Sequence, residues 1–269
     1  MSNFRRPISW KDVELLRQDQ SMRLKVPFEK LRDLHPADVA EIISDLNRLQ
    51  SGQFVEAMDI EHLADTLEEV EPEFQASLMQ DMPDEKAADV LEEMEPDEAA
   101  DLLAELPKER SRDLLALMEK EDADDVRMLL AYPEESAGGI MTTQYAAVPP
   151  DNTAEQALQI LRETADEAET VFYIYVTDDQ EHLVGVISLK ALVFARPEAL
   201  VRDFMQTRLI TVLPLDEQNE VAQVISKYDL LAVPVVDEED PLIGIVTADD
   251  ALDKIIPTAW KKRLPRFFR

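Results

Sequence analysis

The sequence predicts an all-α superhelical solenoid of short helices, followed by two β-α-β-β-α units. Three observations lead to this fold class. A sequence repeat of twelve residues extends from residue 35 to residue 130 and is clearest in residues 95–106 (EPDEAADLLAEL). Strand-like runs begin after residue 140, and their order occurs twice. Hydrophobic residues make up 45% of the 269 positions, which is enough for two cores.

Each twelve-residue repeat has the features of one short helix, as residues 95–106 show. Pro96 stands in the first turn, where a missing N–H group costs nothing, and Asp97 and Glu98 follow where the helix dipole favours anions. Its apolar residues keep the i, i+3, i+4, i+7 spacing of one face: Ala99, Leu102, Leu103 and Leu106. A helix of about ten residues is unstable alone in water, so we expect consecutive helices to stack.

Two positions of the repeat are apolar in nearly every copy, and we interpret both as core. They are Leu46, Met58, Val70, Met82, Met94, Leu106, Met118 and Leu130, and, four residues earlier, Ile42, Phe54, Thr66, Leu78, Val90, Leu102, Leu114 and Val126.

A third position of the repeat is acidic. It is occupied by Asp65, Asp89, Asp101, Asp113 and Asp125, with Glu41 at its head. Such a run is typical of a solvated, solubilising surface. The other interpretation is a site for hard cations, because carboxylate oxygens without Cys or clustered His suit Mg²⁺ or Ca²⁺.

The second part begins where Pro133 ends the last helix and Gly138–Gly139 predict a flexible corner. We predict strands over Tyr145–Val148, Val171–Val176, Leu183–Ser188, Leu209–Leu213, Leu231–Val236 and Leu242–Thr247, with helices over Thr153–Ala165 and Glu217–Lys227. Each unit of about 60 residues closes with a further apolar helix.

These patterns divide the chain into five segments. Residues 1–34 form a basic segment to which no function is assigned, with a helix predicted over Trp10–Gln18 and a strand over Met22–Phe28. The solenoid takes residues 35–132, and the two repeated units take 133–200 and 201–256. Residues 257–269 form a basic-aromatic tail.

Composition excludes several classes of function. A net charge of −31 argues against nucleic acid as a partner. The absence of cysteine excludes disulfides and thiolate metal sites and fits a cytoplasmic protein. No apolar run is long enough to span a membrane. The three histidines are scattered and no phosphate-binding glycine loop is present, so we do not expect an enzyme.

The whole pattern resembles the cytosolic part of MgtE-type magnesium transporters, with their transmembrane part absent. The resemblance covers roughly residues 35–253 and rests on the acidic solenoid followed in order by AGGIMT (137–142), YIYV (173–176), YDLLAVPVVDEED (228–240) and GIVTADDALD (244–253). It implies an N-terminal helical domain followed by a pair of CBS domains. Mg²⁺ bridging the two parts, a homodimer formed through the CBS pair and control of ion transport are also implied.

The resemblance also implies site residues. The Mg²⁺-binding set would be Asp65, Asp97, Asp101, Asp250 and Asp253, with a backbone carbonyl at Gly139. Mg²⁺ keeps several waters and takes only one or two carboxylates directly, so such an ion would be a removable bridge. The residues leave Ca²⁺ and Mn²⁺ open.

CBS pairs often bind adenosine nucleotides, and the nucleotide-binding candidates are Tyr173, Ser188, Lys190, Thr247 and Asp250. Gly244, Thr247 and Asp250 fit the ribose-binding pattern fully. The first unit has Gly185 and Ser188 but carries Ala191 in place of the Asp that holds ribose in this family. We therefore expect weak or absent ATP binding.

Three functional classes remain open from the sequence. The first is a soluble, cytoplasmic Mg²⁺-sensing regulator that either acts on a membrane transporter in trans, associating with the membrane through it, or is one region of a longer system. The second is an adenosine-nucleotide sensor with a helical protein-binding arm, and the third is a scaffold without a ligand. The basic-aromatic tail would contact a membrane surface or a partner, fold back onto the acidic solenoid, or be disordered.

Overall fold

The computed structural model describes residues 34–165, 168–237 and 241–255, and two short strands nearer the start, Val13–Leu15 (β1) and Met22–Leu24 (β2). The strands pair antiparallel. A helix over Trp10–Gln18 was predicted, and this prediction is wrong. The alternation of Val13 and Leu15 around a glutamate suits a strand paired with β2. Predictions for the rest of the first 33 residues and for the tail lie outside the described residues.

The chain divides into two compact units. The first comprises the chain up to Met94 together with Leu102–Ala123. The second comprises Glu95–Asp101 together with the chain from Asp124 onwards. The start of the sixth helix therefore belongs to the same compact unit as the repeated β-α-β-β-α units.

Eight short helices follow one another in the predicted solenoid. They are α1 Pro36–Ser44, α2 Arg48–Ala57, α3 Ile60–Glu68, α4 Pro72–Asp81, α5 Asp84–Glu93, α6 Pro96–Glu105, α7 Lys108–Leu117 and α8 Lys120–Leu129. Local sequence starts several of them. Asn47 and Gln50 form a reciprocal capping box, and the Asp59 carboxylate accepts from the His62 N–H.

The two apolar positions of the repeat form the core, as predicted. In the first column, Leu46 to Met118 are at most 7% exposed, and Leu130 at its end is 36% exposed. In the second column, Phe54 to Val126 are buried and Ile42 is half-buried. Within the first unit, helices two apart in sequence pack together: α1 with α3, α3 with α5, α5 with α7, and α2 with α4. Burial of these faces stabilises helices that are too short to stand alone.

Two basic side chains close helix ends in the first unit. Lys86 on α5 donates from Nζ to the last carbonyls of α2, and Arg110 on α7 donates from Nη2 to the last carbonyls of α4. The acceptors are Val55, Glu56 and Met58 at 2.8, 3.2 and 3.2 Å, and Met79 and Met82 at 3.2 and 2.8 Å. A cation at a helix C-terminus satisfies carbonyls that have no intrahelical partner.

The second unit contains the duplicated arrangement. Its elements are β3 Tyr145–Val148, α9 Ala154–Thr164, β4 Thr170–Thr177, β5 Leu183–Ser188, α10 Leu189–Phe194, α11 Val201–Phe204, α12 Gln218–Tyr228, β6 Ala232–Val236, β7 Leu242–Thr247 and α13 Ala248–Ile255. β4 pairs parallel with β3 and antiparallel with β5, and β6 pairs antiparallel with β7.

The strand predicted over Leu209–Leu213 is reduced to a single parallel bridge between Val212 and Val235. The Val212 N–H donates to the Pro234 carbonyl and the Val236 N–H to the Val212 carbonyl. The next ladder bond on each side would need an N–H group from Pro234 or Pro214. Because proline has none, the ladder stops after one residue, and the prediction of a strand is wrong.

The two repeats exchange their first segments. Thr142, from the start of the first repeat, pairs with Ile245 on β7, and Gln206, from the start of the second, pairs with Val186 on β5. Both pairs exchange two backbone hydrogen bonds of 2.8–3.0 Å. One apolar cluster contains residues of both repeats: Tyr175, Leu183, Ala232, Val236, Leu242 and Ile245. The two repeats therefore share one core.

Gly138 and Gly139 serve close packing rather than the predicted flexible corner. A Cβ atom on Gly138 would lie 2.5 Å from the Tyr132 ring, and one on Gly139 would lie 2.3 Å from the Pro133 carbonyl oxygen. The segment is also held by backbone bonds, since the Gly138 N–H donates to the Pro214 carbonyl at 2.8 Å. No glycine in the described part of the chain has a positive φ.

The glycines of the repeats give a stability prediction. A Cβ on Gly244 would lie 2.7 Å from the Thr142 carbonyl oxygen, whereas one on Gly185 meets the flexible Met205 side chain. We expect Gly244→Ala to lower the free energy of unfolding by about 1–3 kcal/mol, and Gly185→Ala by less. Gly52→Ala, in an open helical position, should raise it by roughly 0.5–1 kcal/mol. Urea unfolding measures all three, and an equal loss at both repeat glycines would contradict this reasoning.

Candidate metal centre

Five carboxylates meet within the second compact unit. Glu95 and Asp97 come from the start of α6, Glu169 precedes β4, and Asp249 and Asp250 lie in the first turn of α13. Oxygen atoms of Glu95, Asp97 and Glu169 lie within 4.8 Å of one another, and so do oxygen atoms of Glu169, Asp249 and Asp250. Ligands on opposite sides of one Mg²⁺ are about 4.2 Å apart, so small adjustments would bring either group onto an ion.

Local structure positions three members of this cluster. Asp250 is held by Thr247, whose hydroxyl donates to the Asp250 carboxylate and accepts from the Asp250 N–H at 3.4 Å. Glu169 is placed by its backbone N–H, which donates to the Gln144 carbonyl at 3.1 Å. Asp97 sits in the first turn of α6, where the helix dipole favours an anion.

Asp97 and Asp250 are the two buried members of the cluster, and Asp97 has a buried oxygen without a hydrogen-bond partner among the described residues. This oxygen is Oδ1, and Asp97 as a whole is 8% exposed. Burial raises the pKa of Asp97 well above the usual range, and the negative charges of Asp250, Glu98, Glu169 and Glu95 raise it further. A buried carboxylate facing other carboxylates is costly unless a cation or a proton neutralises it.

The repeat shows how unusual this burial is. Asp97 occupies the position held in the other helices by Glu61, Glu73, Glu85, Glu109 and Glu121, and each of these five is exposed. The same first-turn acid is solvated in those copies and buried in α6 alone among these six. The burial of Asp97 therefore arises from the residues that pack on α6 and not from the sequence of α6 itself.

The structure brings together only part of the predicted metal set. Asp97 and Asp250 face each other, whereas Asp101 is half-buried on the same helix and belongs to neither carboxylate group. Asp65 is exposed in the first unit and lines an open cleft of about 470 Å³ with Asp59, Glu61 and His62. Gly139 is half-buried at the end of a short 3₁₀ turn. Asp253 lies in α13, and its side chain is outside the described residues.

Four of the five nucleotide candidates lie at helix starts, and the fifth, Tyr173, lies in β4. Tyr173 is half-buried and lies opposite Ser188 in the β4–β5 register. The Ser188 hydroxyl accepts from the Ala191 N–H at 3.1 Å and so caps α10, as Thr247 caps α13. Lys190 is exposed. Asp250, the one acid of the ribose pattern, is 8% exposed and lies against Asp97.

Glu95, Glu169 and Asp249 were not predicted from the sequence. Asp249 adjoins the predicted ligand Asp250, and Glu95 lies two residues before the predicted ligand Asp97. This closeness in sequence is the only signal that they carry. Glu169 directly precedes the strand that holds YIYV, without a motif of its own. Only the pairing of β4 in the folded chain brings Glu169 to the cluster.

Comparison with known proteins identifies both parts of the fold. The profile of the MgtE intracellular N domain matches residues 34–135, and the CBS domain profile matches residues 137–198 and 201–257. The class is thus an intracellular helical domain of the MgtE type followed by a CBS pair. Magnesium transporter MgtE from Bacillus subtilis is 36% identical over 227 residues, which cover 84% of this chain and 50% of that protein.

Further relatives agree. Magnesium transporter MgtE from Enterococcus faecalis is 46% identical over 49% of this chain and 29% of its own length. A crystal structure of the cytosolic domain of the Mg²⁺ channel MgtE in complex with ATP superposes with a TM-score of 0.81 at 36% identity, covering 84% of this chain and 93% of that one. The soluble part of a magnesium transporter gives a TM-score of 0.71 at 37% identity, covering 84% and 94%. The chain belongs to the MgtE family.

The chain spans half or less of the transporters named above. In the part of the chain that the structure describes, no helix combines the length and the apolar character needed to cross a bilayer. The relatives named above are transporters, which agrees with the expectation that this chain has no enzymatic activity. That expectation stays a prediction.

The raised pKa of Asp97 predicts a specific pH dependence. In EDTA at neutral pH, Asp97→Asn should raise the free energy of unfolding by on the order of 1 kcal/mol or more, because it removes facing like charges. The folded wild type binds more protons at this group than the unfolded chain does, so its stability falls as pH rises from about 4 through the raised pKa. The advantage of the variant should therefore shrink on acidification. Glu85→Gln, at the exposed equivalent position, is the control, and a pH-independent advantage would contradict the prediction.

Proposed function

We propose that this chain is the Mg²⁺-sensing, cytosolic regulatory region of a magnesium transporter. Its membership of the MgtE family supports a regulatory region. The finer proposal is that divalent cations bind the carboxylate cluster and link the start of α6 to the CBS pair. The observation that carries it is Asp97, a buried carboxylate beside other acids, one of whose oxygens has no hydrogen-bond partner in the described part of the chain.

The chemistry of the cluster favours a hard divalent cation. All five side chains offer only oxygen ligands, the donors that Mg²⁺, Ca²⁺ and Mn²⁺ share. No cationic side chain is among the groups that shift the Asp97 pKa. A double positive charge would relieve both the desolvation of Asp97 and its repulsion by Asp250.

The cluster would act as a sensor because its neutralisation depends on ion concentration. Without a cation, repulsion between Asp97 and Asp250 weakens the attachment of residues 95–101 to the CBS pair. Facing charges at such distances cost about 1–4 kcal/mol per pair, depending on the local dielectric. A bound ion replaces this repulsion by attraction, so it shifts the population towards the attached form.

The regulated partner would be a magnesium transporter, either a membrane part of the same polypeptide or a separate protein. The relative from Bacillus subtilis matches 84% of this chain with 50% of its own length and is named as a magnesium transporter, which supports this choice. Ion-dependent attachment of α6 would then be the signal that the transporter reads.

Dimerisation through the CBS pair stays a prediction. The helices that close the two repeats expose apolar side chains: Val193 is 55% exposed and Phe194 82% exposed on α10, and Leu252 is 50% exposed on α13. A second copy is the occupant that the family resemblance implies for such faces.

Magnesium binding is tested by calorimetric titration of MgCl₂ into the whole chain. Asp97→Asn and Asp250→Asn should each weaken binding by roughly 10-fold or more, because each removes a ligand. Hydrogen exchange of the residue 95–101 amides should slow on Mg²⁺ addition in the wild type and much less in the variants.

Glu85→Gln is the matched control, since it removes one acid from the same helical position without touching the cluster. Asp97→Asn removes both a repelling charge and a ligand. It should raise the stability of the fold in EDTA and lower it relative to wild type in Mg²⁺. Equal Mg²⁺ affinity in wild type, control and both cluster variants would place the ion elsewhere on the acidic surface.

The nucleotide sensor is the second candidate, because a relative of known structure is described as a complex with ATP. Ala191 and the burial of Asp250 argue against tight binding here. We expect weak ATP binding by calorimetry and a clear gain in Ala191→Asp, which restores the ribose acceptor of the first repeat. Tight binding by the wild-type chain would favour the nucleotide sensor instead.

A further inference from the structure

The second helix differs from its neighbours at one position of the twelve-residue repeat. In five other copies a buried alanine occupies this position: Ala40, Ala64, Ala76, Ala88 and Ala100. In α2 the residue is Gly52, which is half-buried, and a Cβ atom added to it would meet no described atom within 4 Å. Glycine in a helix interior is less stable than alanine. Packing therefore does not require the glycine, and the space beside it is open.

This space belongs to a groove of about 620 Å³ in the first compact unit, between α2, the end of α4 and the start of α5. Its lining includes the buried apolar side chains of Val55, Leu78 and Met82. The acids Glu56 and Asp81 also line it and are exposed. Pockets that hold ligands enclose roughly 300–1,000 Å³, so the groove is large enough for one or more side chains.

The charges around the groove favour a cationic occupant. Lys86 is the basic residue among the described lining residues, and its Nζ atom donates to the carbonyls of Val55, Glu56 and Met58. An ammonium group has three N–H donors, so these bonds use all of them. The two acids outnumber this one cation. A segment with apolar side chains beside cationic ones would therefore match both the lining and the charge of the groove.

The start of the chain has this composition. Residues 1–11 contain no acid and combine three large apolar residues with three basic ones: Phe4, Ile8, Trp10, Arg5, Arg6 and Lys11. They belong to the same compact unit as the groove, and they precede α1, which packs on α2. The basic-aromatic tail belongs to the second unit. These observations favour the start of the chain as the occupant.

We propose that residues 1–11 dock in this groove of the same molecule. An aromatic side chain of the segment lies beside Gly52, and basic side chains lie against Glu56 and Asp81. Docking buries apolar surface on both sides, which favours binding in the same way as packing between helices does. Salt screens the charges but not the apolar contact, so high salt should weaken docking only in part.

Tryptophan fluorescence of the full chain tests the proposal, because Trp10 and Trp260 are its only tryptophans. Trp260→Phe leaves Trp10 as the probe, which should emit at short wavelength and be protected from quenching by acrylamide. Adding Gly52→Leu fills the groove from α2 and should expel the segment. The Trp10 emission should then shift to longer wavelength, and quenching should increase several-fold.

Two pairs of variants serve as controls. Leucine enters open space and favours a helix more than glycine does, so Gly52→Leu should fold, and circular dichroism verifies this. Gly52→Ala adds only a methyl group and should retain the protected emission. Glu56→Lys should expose Trp10 in part, whereas Glu109→Lys, at an exposed position of α7, should not.

Three outcomes would overturn the proposal. The first is a Trp10 signal that is the same with Gly52 and with leucine at this position, whether protected or exposed. The second is a Trp260 signal, measured in Trp10→Phe, that responds to Gly52→Leu, because the tail would then occupy the groove. The third is a loss of Trp10 protection on dilution, because the occupant would then come from a second copy.

Discussion

A helix of nine or ten residues cannot hold itself together in water, and the first part of this structure follows from that constraint. Every helix uses two columns of apolar residues to pack on its neighbours, so its remaining faces turn outward. Side chains from other helices donate hydrogen bonds to the carbonyls at the ends of two short helices. Lys86 does so for α2 and Arg110 for α4. Because the apolar columns are used for packing, the outer surface is polar, and in this chain it is acidic.

The candidate site depends on a single departure from this arrangement. First-turn acids at the equivalent positions, from Glu61 to Glu121, are exposed and serve the helix dipole at little cost. In α6 the same position, Asp97, is buried, and acids of the CBS pair lie close enough to raise its pKa further. Burial converts an ordinary helix-start residue into an unsatisfied charge, and the need to neutralise that charge is what a cation sensor requires.

Much of the fold could be predicted from the sequence, because the repeat fixes the period of the apolar columns and the duplicated strands fix the CBS pair. The errors have local physical causes. The strand expected over Leu209–Leu213 had suitable residues, but Pro214 and Pro234 removed the N–H groups that it needed. Asp97 and Asp250 were named through a family resemblance. Glu169 could not be named in this way, because its position depends on the pairing of β4 with β3 in the folded chain.

The two CBS repeats show how one local motif acquires different chemistry. Ser188 and Thr247 occupy matching places and both cap the helix that follows. In the second repeat Asp250 adds a carboxylate that accepts from the capping hydroxyl, and in the first Ala191 adds none. A sugar hydroxyl and a hydrated cation both satisfy such a carboxylate. The charges near the carboxylate select between the two ligands. Near Asp250 lies the carboxylate of Asp97, with further acids beside it. This negative charge repels a nucleotide phosphate and attracts a cation.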